Sequence, residues 1–291
     1  MKSIILFVTI MVVLVAGVAR ADYPEDRKAA MALAASGKNK EALDAFTKLA
    51  QEAPTEAQRN DALEQATICA ESLRQFDAGM ALARQITAAP LSKHCQMRLL
   101  LGNRQWQDVV TLFGPDDLSA WPETFRAQSY HLRGQAYFAI KDGLRAEADL
   151  TQAVQSLTNS NDKGLALTQL GDVYRMLLND PTRAVETYKK VYDTDNVYKQ
   201  CQAAIGIATL LRSQKKFDEA MQELQSRLTA DVTSAYWRVK MLGEMAKTQA
   251  EAGRKAEAIA KYREALAIKG MPEEFKGPFE DALKAMGSSV P

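Results

Sequence analysis

The chain has 291 residues, 47% hydrophobic, 25% charged and 7% aromatic, with 37 basic against 36 acidic side chains. So even a charge balance gives no electrostatic basis for holding nucleic acid or an anionic membrane surface. Ala-rich composition with almost no β-branched run after residue 21 argues against a sheet core and for an all-α chain.

Met1–Ala21 stands apart from everything that follows. Lys2 supplies a short positive start, Ile4–Val18 an apolar stretch of 15 residues, and Ala19-Arg20-Ala21 the small residues a signal peptidase needs. That stretch falls short of the roughly 17–25 residues that cross a bilayer as a helix. The expectation is an export signal over residues 1–21, cleaved after Ala21; the alternative is an uncleaved N-terminal anchor. No cysteine sits at the cleavage site to take a lipid. A mature chain from Asp22 carries 35 basic and 36 acidic residues and is expected to have no stable membrane insertion. The lack of any Asn-x-Ser/Thr acceptor favours a periplasmic over a eukaryotic secretory location.

Residues 22–271 repeat one pattern, sharpest at Tyr130–Val154. Tyr130, Gly134 and Tyr137 fall at i, i+4 and i+7 on one helix face. Ala146, Leu150, Ala153, Val154 and Leu157 keep the helical period on a second helix. Asp142-Gly143 breaks the pattern between them, and Gly143 is expected to take the left-handed conformation that ends a helix. Gly134 and Ala146 are small where two antiparallel helices cross.

With Ala146 as the marker, equivalent positions recur at Ala42, Gly79, Val109, Ala184, Ala220 and Ala258, at steps of 30–38 residues. The copy around Leu170, Gly171, Tyr174 and Tyr188 has one extra residue at Asn179-Asp180-Pro181, where Asp180 reads as an N-cap with proline at the first helical position. The third copy is the poorest, with only Trp106, Val109 and Phe113 in place. Gly114–Pro122 interrupts the array, and Trp121 is expected to trap that loop. Trp106 and Trp237 are assigned to the core. Residues 272–291 form a last segment whose Phe275, Phe279, Leu283 and Met286 give one apolar face, expected to cap the final hairpin.

This spacing of aromatic, glycine, tyrosine, then alanine, leucine and alanine resembles the tetratricopeptide repeat. The resemblance implies an all-α, right-handed superhelix, a solenoid of about seven helical hairpins in one elongated domain. It also implies that a protein or peptide binds in the concave groove, with no cofactor and no catalysis. Its register points ten positions inward: His94 and Arg98, then His131, Gln135 and Phe138, then Asp172 and Arg175, Thr209 and Arg212, and Lys247. Four cations against one carboxylate make a mildly positive lining, suited to an acidic segment or a chain terminus. The lining does not reproduce the Lys/Asn pattern by which some relatives clamp a terminal carboxylate.

The remaining chemistry is sparse. Cys69, Cys95 and Cys201 are an odd number for an oxidising compartment. The repeat register sets Cys69 and Cys95 on first helices of neighbouring hairpins, so a disulfide and a pair of buried thiols both remain open. Two histidines without companion ligands do not make a metal site. Gly37-Lys38 lacks the rest of a phosphate loop, and neither a G-x-S-x-G elbow nor an H-E-x-x-H pair is present. The sequence therefore reads as an envelope scaffold that binds through its groove, or alternatively as a structural subunit of an envelope complex using its outer face or ends.

Overall fold

A hairpin begins where a helix must stop, and here one left-handed residue marks each stop. The computed structural model describes residues 22–289; the expected export signal, Met1–Ala21, lies outside the described residues. In chain order the helices form seven successive pairs. These are α1 (Tyr23–Ala35) with α2 (Asn39–Glu52), α3 (Glu56–Ser72) with α4 (Phe76–Ala83), and α5 (Ala89–Gly102) with α6 (Trp106–Phe113). Next come α7 (Glu123–Ala139) with α8 (Gly143–Ser156), and α9 (Ser160–Met176) with α10 (Pro181–Lys190). Then α11 (Val197–Ser213) pairs with α12 (Phe217–Arg227), and α13 (Ala235–Glu251) with α14 (Lys255–Leu266). A single helix, α15 (Glu273–Ala285), ends the array. Among the described residues there is no strand.

Positive φ occurs at Gly37, Arg74, Arg104, Lys141, Asn179, Lys215 and Gly253, one in the turn of each pair. Each lies five residues before its repeat marker. The next N–H then folds back on the preceding helix, as Asp142 N does on the Tyr137 carbonyl at 2.9 Å and Lys216 N on that of Leu211 at 2.9 Å. This closes the orphan carbonyls of the first helix. The expected role of Gly143 is corrected: Lys141 takes the left-handed conformation (φ 65°), and Gly143 is the first residue of α8. Asp142 N-caps α8 and Asp180 N-caps α10, each accepting from the backbone N–H three residues on.

The seven markers are all buried. Ala42, Val109, Ala146, Ala184, Ala220 and Ala258 have no exposure, and Gly79 is buried against Leu99 and Ala70. Small residues are needed there because an aromatic or leucine from the partner helix fills the crossing. At Gly134 an added Cβ would meet Leu150 at 2.8 Å.

By their contacts the described residues divide into two compact units, one ending at Leu99 and the other beginning at Leu100, inside α5. The first unit has a core built on Phe46, Leu49, Leu63, Ile86 and Leu99. In the second, Tyr137, Leu150, Leu167, Val173 and Tyr188 form one cluster, and Leu224, Met241, Leu242, Met245 and Leu283 form another. α15 closes that second cluster with Phe279 and Leu283, both buried.

The interruption between α6 and α7 is tied down rather than loose. Trp121 is buried and edge-on to Phe125. Arg133, on α7, makes a two-armed ion pair with Asp149 (2.7 and 2.9 Å) and donates to the carbonyls of Phe113 (3.0 Å) and Asp116 (2.7 Å). One guanidinium so joins α7, α8 and the loop.

Candidate partner-binding surface

In the second unit the backbones of α7 and α9, α9 and α11, and α11 and α13 come close, whereas successive second helices stand further apart, α8 and α10 being bridged by the Arg183–Glu147 ion pair at 2.5 Å. The first helices therefore form the shorter, inner side of this unit, and the second helices splay outward.

The ten positions assigned to a groove divide by what they touch. In the first unit, His94 is buried; its desolvation, and secondarily the Arg98 charge, push the imidazole down to about 3. Arg98 donates to Glu71 on α3 at 2.6 Å. In the second unit His131 is also buried, 2.8 Å from Gln169 Oε1 and 3.0 Å from Gln135 Nε2, and burial lowers its pKa. Phe138 packs on the Tyr137–Leu150 core, and Thr209 donates back to the Ile205 carbonyl at 2.8 Å. Arg175 bonds Asp172 (2.8 Å) and the Tyr188 hydroxyl (3.1 Å). Arg212, only 11% exposed at its side chain, reaches Glu244 on α13 at 2.7 Å and Glu251 at 3.5 Å. Lys247 is exposed and donates to Glu244 at 2.8 Å.

The expected positive lining is thus corrected. The four cations Arg98, Arg175, Arg212 and Lys247 are met by Glu71, Asp172, Glu244 and Glu251. Glu71, Glu244 and Glu251 are not among the ten positions that the repeat register points inward. Burial alone would raise the Glu244 carboxyl, but hydrogen bonds from Lys247 and Arg212 outweigh it and hold the pKa below its ordinary value.

No family model matches the sequence, and no curated protein matches it. Solved structures do. A tetratricopeptide repeat protein from Parabacteroides merdae aligns with a TM-score of 0.53 at 12% identity, covering 91% of this chain and 99% of its own. The C-terminal part of a TPR repeat-containing protein from Cytophaga hutchinsonii gives 0.53 at 14% identity, over 85% of this chain and 96% of its own. The apo form of RapI gives 0.69 at 12%, over 92% and 82%.

The chain has the tetratricopeptide-repeat fold.

Identity this low carries the fold alone, and within the repeat it is side-chain size at a few crossings that is constrained. Within this fold the inner side of the second unit also carries a cluster of aromatic rings and lysines. Trp237, assigned to the core, is half-exposed at the start of α13; it stacks on Tyr198 (centroids 6.5 Å, 9°) and stands edge-on to Tyr236. Lys240 Nζ lies 5.0 Å from the centre of the Trp237 ring. Lys199 donates to Gln202 at 3.2 Å. Trp106 is likewise half-exposed, as are Phe76 and Phe217 at the same repeat position. Trp237 was legible as an aromatic before a helical run, but nothing local said which side it would take.

The outer side of the repeat holds a cleft of ≈ 610 Å³ between α10 and α12. Ile207, Leu210 and Leu211 of α11 form its floor, with charges of both signs on the rim, Glu186, Lys189 and Glu219 among them.

Cys69, Cys95 and Cys201 are buried free thiols, so the structure contains no Cys69–Cys95 bridge. Burial pushes the Cys95 thiol up to about 11, and its hydrogen-bond partner is Thr67 on α3. Thr67 and Cys69 are two residues apart on one helix and so point in nearly opposite directions, which aims Cys95 away from Cys69. Cys201 is likewise raised to about 11 by burial and lies 3.9 Å from the Arg227 carbonyl. Among the described residues no three His, Cys, Asp or Glu side chains stand close enough to share a metal ion, and no helix is long and apolar enough to cross a membrane.

Proposed function

We propose that this protein is a noncatalytic scaffold of the cell envelope that binds a protein or peptide along the inner row of first helices. One observation carries the reading: that row is locked by side-chain bonds between successive first helices, Arg212 to Glu244 and His131 to Gln169. Such a preset polar surface needs little ordering when a partner docks, which is what binding without a chemical step requires. The similarity in fold to repeat proteins supports a scaffold, and the apolar start of the chain with Ala19-Arg20-Ala21 supports export to the periplasm or beyond.

Site-specific photocrosslinking tests the groove. A crosslinker at Thr209 or Lys247 on the inner side should capture a discrete partner from envelope extract, and one at Gln222 in the outer cleft should not. Capture from Gln222 alone would overturn groove binding and put the structural-subunit reading first. Mass spectrometry of the envelope fraction should find an N-terminus at Asp22; an intact Met1–Ala21 in the membrane pellet would instead establish an anchor.

A further inference from the structure

Every inner-row cation assigned above has a carboxylate partner, yet two lysines beside them have none. Among the described residues Lys199 and Lys240 take no carboxylate within ion-pair distance; Lys199 rests on Gln202 (3.2 Å) and Lys240 on the Tyr236 hydroxyl (3.4 Å). Both are half-buried. The Tyr198–Trp237 stack presses the start of α11 against the start of α13. It brings Lys199, next to Tyr198, and Lys240, one turn past Trp237, to the same inner surface.

We propose that this surface is the anion subsite of an acidic peptide, the carboxylate lying between Lys199 and Lys240 and the adjoining apolar side chain against Trp237. The proposal deepens the groove reading and rests on it. Two like charges with no carboxylate bonded to either disfavour each other, so an anion arriving from outside adds an attraction that neither lysine's own hydrogen bonds supply. Burial is the largest influence and lowers the Lys199 pKa; the Asp172 charge comes next and raises it, ahead of the Lys240 charge, which lowers it. Asp172 itself is committed to Arg175 and the Tyr188 hydroxyl. The ring ladder from Tyr198 through Trp237 and Tyr236 to Phe275 gives the subsite a rigid apolar floor. Only a small anion fits this electrostatics. The other inner cations are neutralised and the whole chain is close to neutral, so no basic stripe exists for a polyanion such as nucleic acid.

The test uses the purified chain and three dye-labelled Gly/Ser-framed peptides read by fluorescence polarisation. One, capped at both ends, carries Glu-Leu-Glu; the second, also capped, carries Gln-Leu-Gln; the third is the second with a free C-terminal carboxylate. The capped Glu peptide should bind, weaken as salt rises, and lose about tenfold in affinity in Lys199→Gln and again in Lys240→Gln, the worth of one charge-assisted hydrogen bond each. Lys240→Arg should restore most of it. Binding of the uncapped Gln peptide with the same lysine dependence would support the subsite and assign it to a chain terminus. Equal binding of the two capped peptides, no binding by any of the three, or parent-like affinity in both lysine variants would overturn it. Neither lysine is needed by the fold on this account, so Tm should hold or rise in Lys199→Gln and Lys240→Gln; a lowered Tm in both would make them structural and also overturn the subsite. Capture of a partner through Thr209 survives such a failure, which keeps the two readings separable.

Discussion

At the scale of single residues, Tyr188 fixes the spacing of three helices. Its ring, on α10, fills the gap between α9 and α11, where a Cβ on Gly171 would stand 2.5 Å from Cε1 and one on Gly206 2.6 Å from Cζ. Beyond the glycines its hydroxyl donates to Asp172 at 2.5 Å and accepts from Arg175, and burial holds its phenol above the ordinary range. Gly171→Ala and Gly206→Ala should each destabilise by roughly 1–3 kcal/mol through overpacking, and Tyr188→Phe by less; urea unfolding midpoints check the order. The buried histidines make a second prediction. His94, ordinarily near 6.5, is held down to about 3, and His131 is also lowered. Both folded-state values lie below the unfolded ones, so the stability is complete above about pH 6.5 and is lost as pH falls toward the folded values. The slope is at most about 1.4 kcal/mol per pH unit per histidine. Unfolding midpoints measured from pH 7 to pH 5 should fall for the parent and stay flatter for His94→Asn, the difference cancelling groups common to both.

At the scale of the element, the turn is the repeated device. Seven turns put one residue at positive φ, yet only two of those residues, Gly37 and Gly253, are glycines. An L-residue with a Cβ pays about 1–2 kcal/mol in that conformation. Lys141→Gly and Lys215→Gly should therefore stabilise by about 1 kcal/mol, net of the unfolded-state entropy of glycine, and Gly253→Ala should destabilise by a similar amount. Thermal melts of the three variants decide it. A Gly143→Ala change separates this from the local sequence expectation. Gly143 is already helical, and an added Cβ would meet Leu178 at 2.9 Å, so its effect comes from packing on the next hairpin.

At the scale of the molecule, a repeat array holds together through neighbours, so damage at one end should stay there. Phe279 reaches from α15 to Gly243 on α13, where a Cβ would stand 2.6 Å from its ring, and it touches Tyr262 of α14 (centroids 5.1 Å). Phe279→Ala should cost roughly 3–5 kcal/mol. Hydrogen exchange should show the lost protection concentrated in α13–α15, with α1–α4 unchanged; uniform loss along the chain would mean that the array unfolds as one block.

The order of hairpins, the buried markers from Ala42 to Ala258 and the closing role of Phe279 and Leu283 were legible because each follows from spacing along one helix. A period of 3.6 says which face is buried, and a small residue says where a neighbour comes close. The sequence alone determined that much about this protein, including an α-only fold. It misplaced the turn by two residues at Gly143, since the left-handed position is set by where the preceding helix can close its carbonyls, not by where a glycine happens to lie. Only the tertiary structure decided what meets across helices: Arg98 with Glu71, Arg212 with Glu244, Arg133 with the Phe113 and Asp116 carbonyls. It also left Lys199 and Lys240 without carboxylates and set Trp237 at the edge of the core, packed against it but partly exposed. Those partners lie 17 to 32 residues apart in the chain, and their meeting depends on how far each helix is rotated against the next, a quantity that no local pattern encodes.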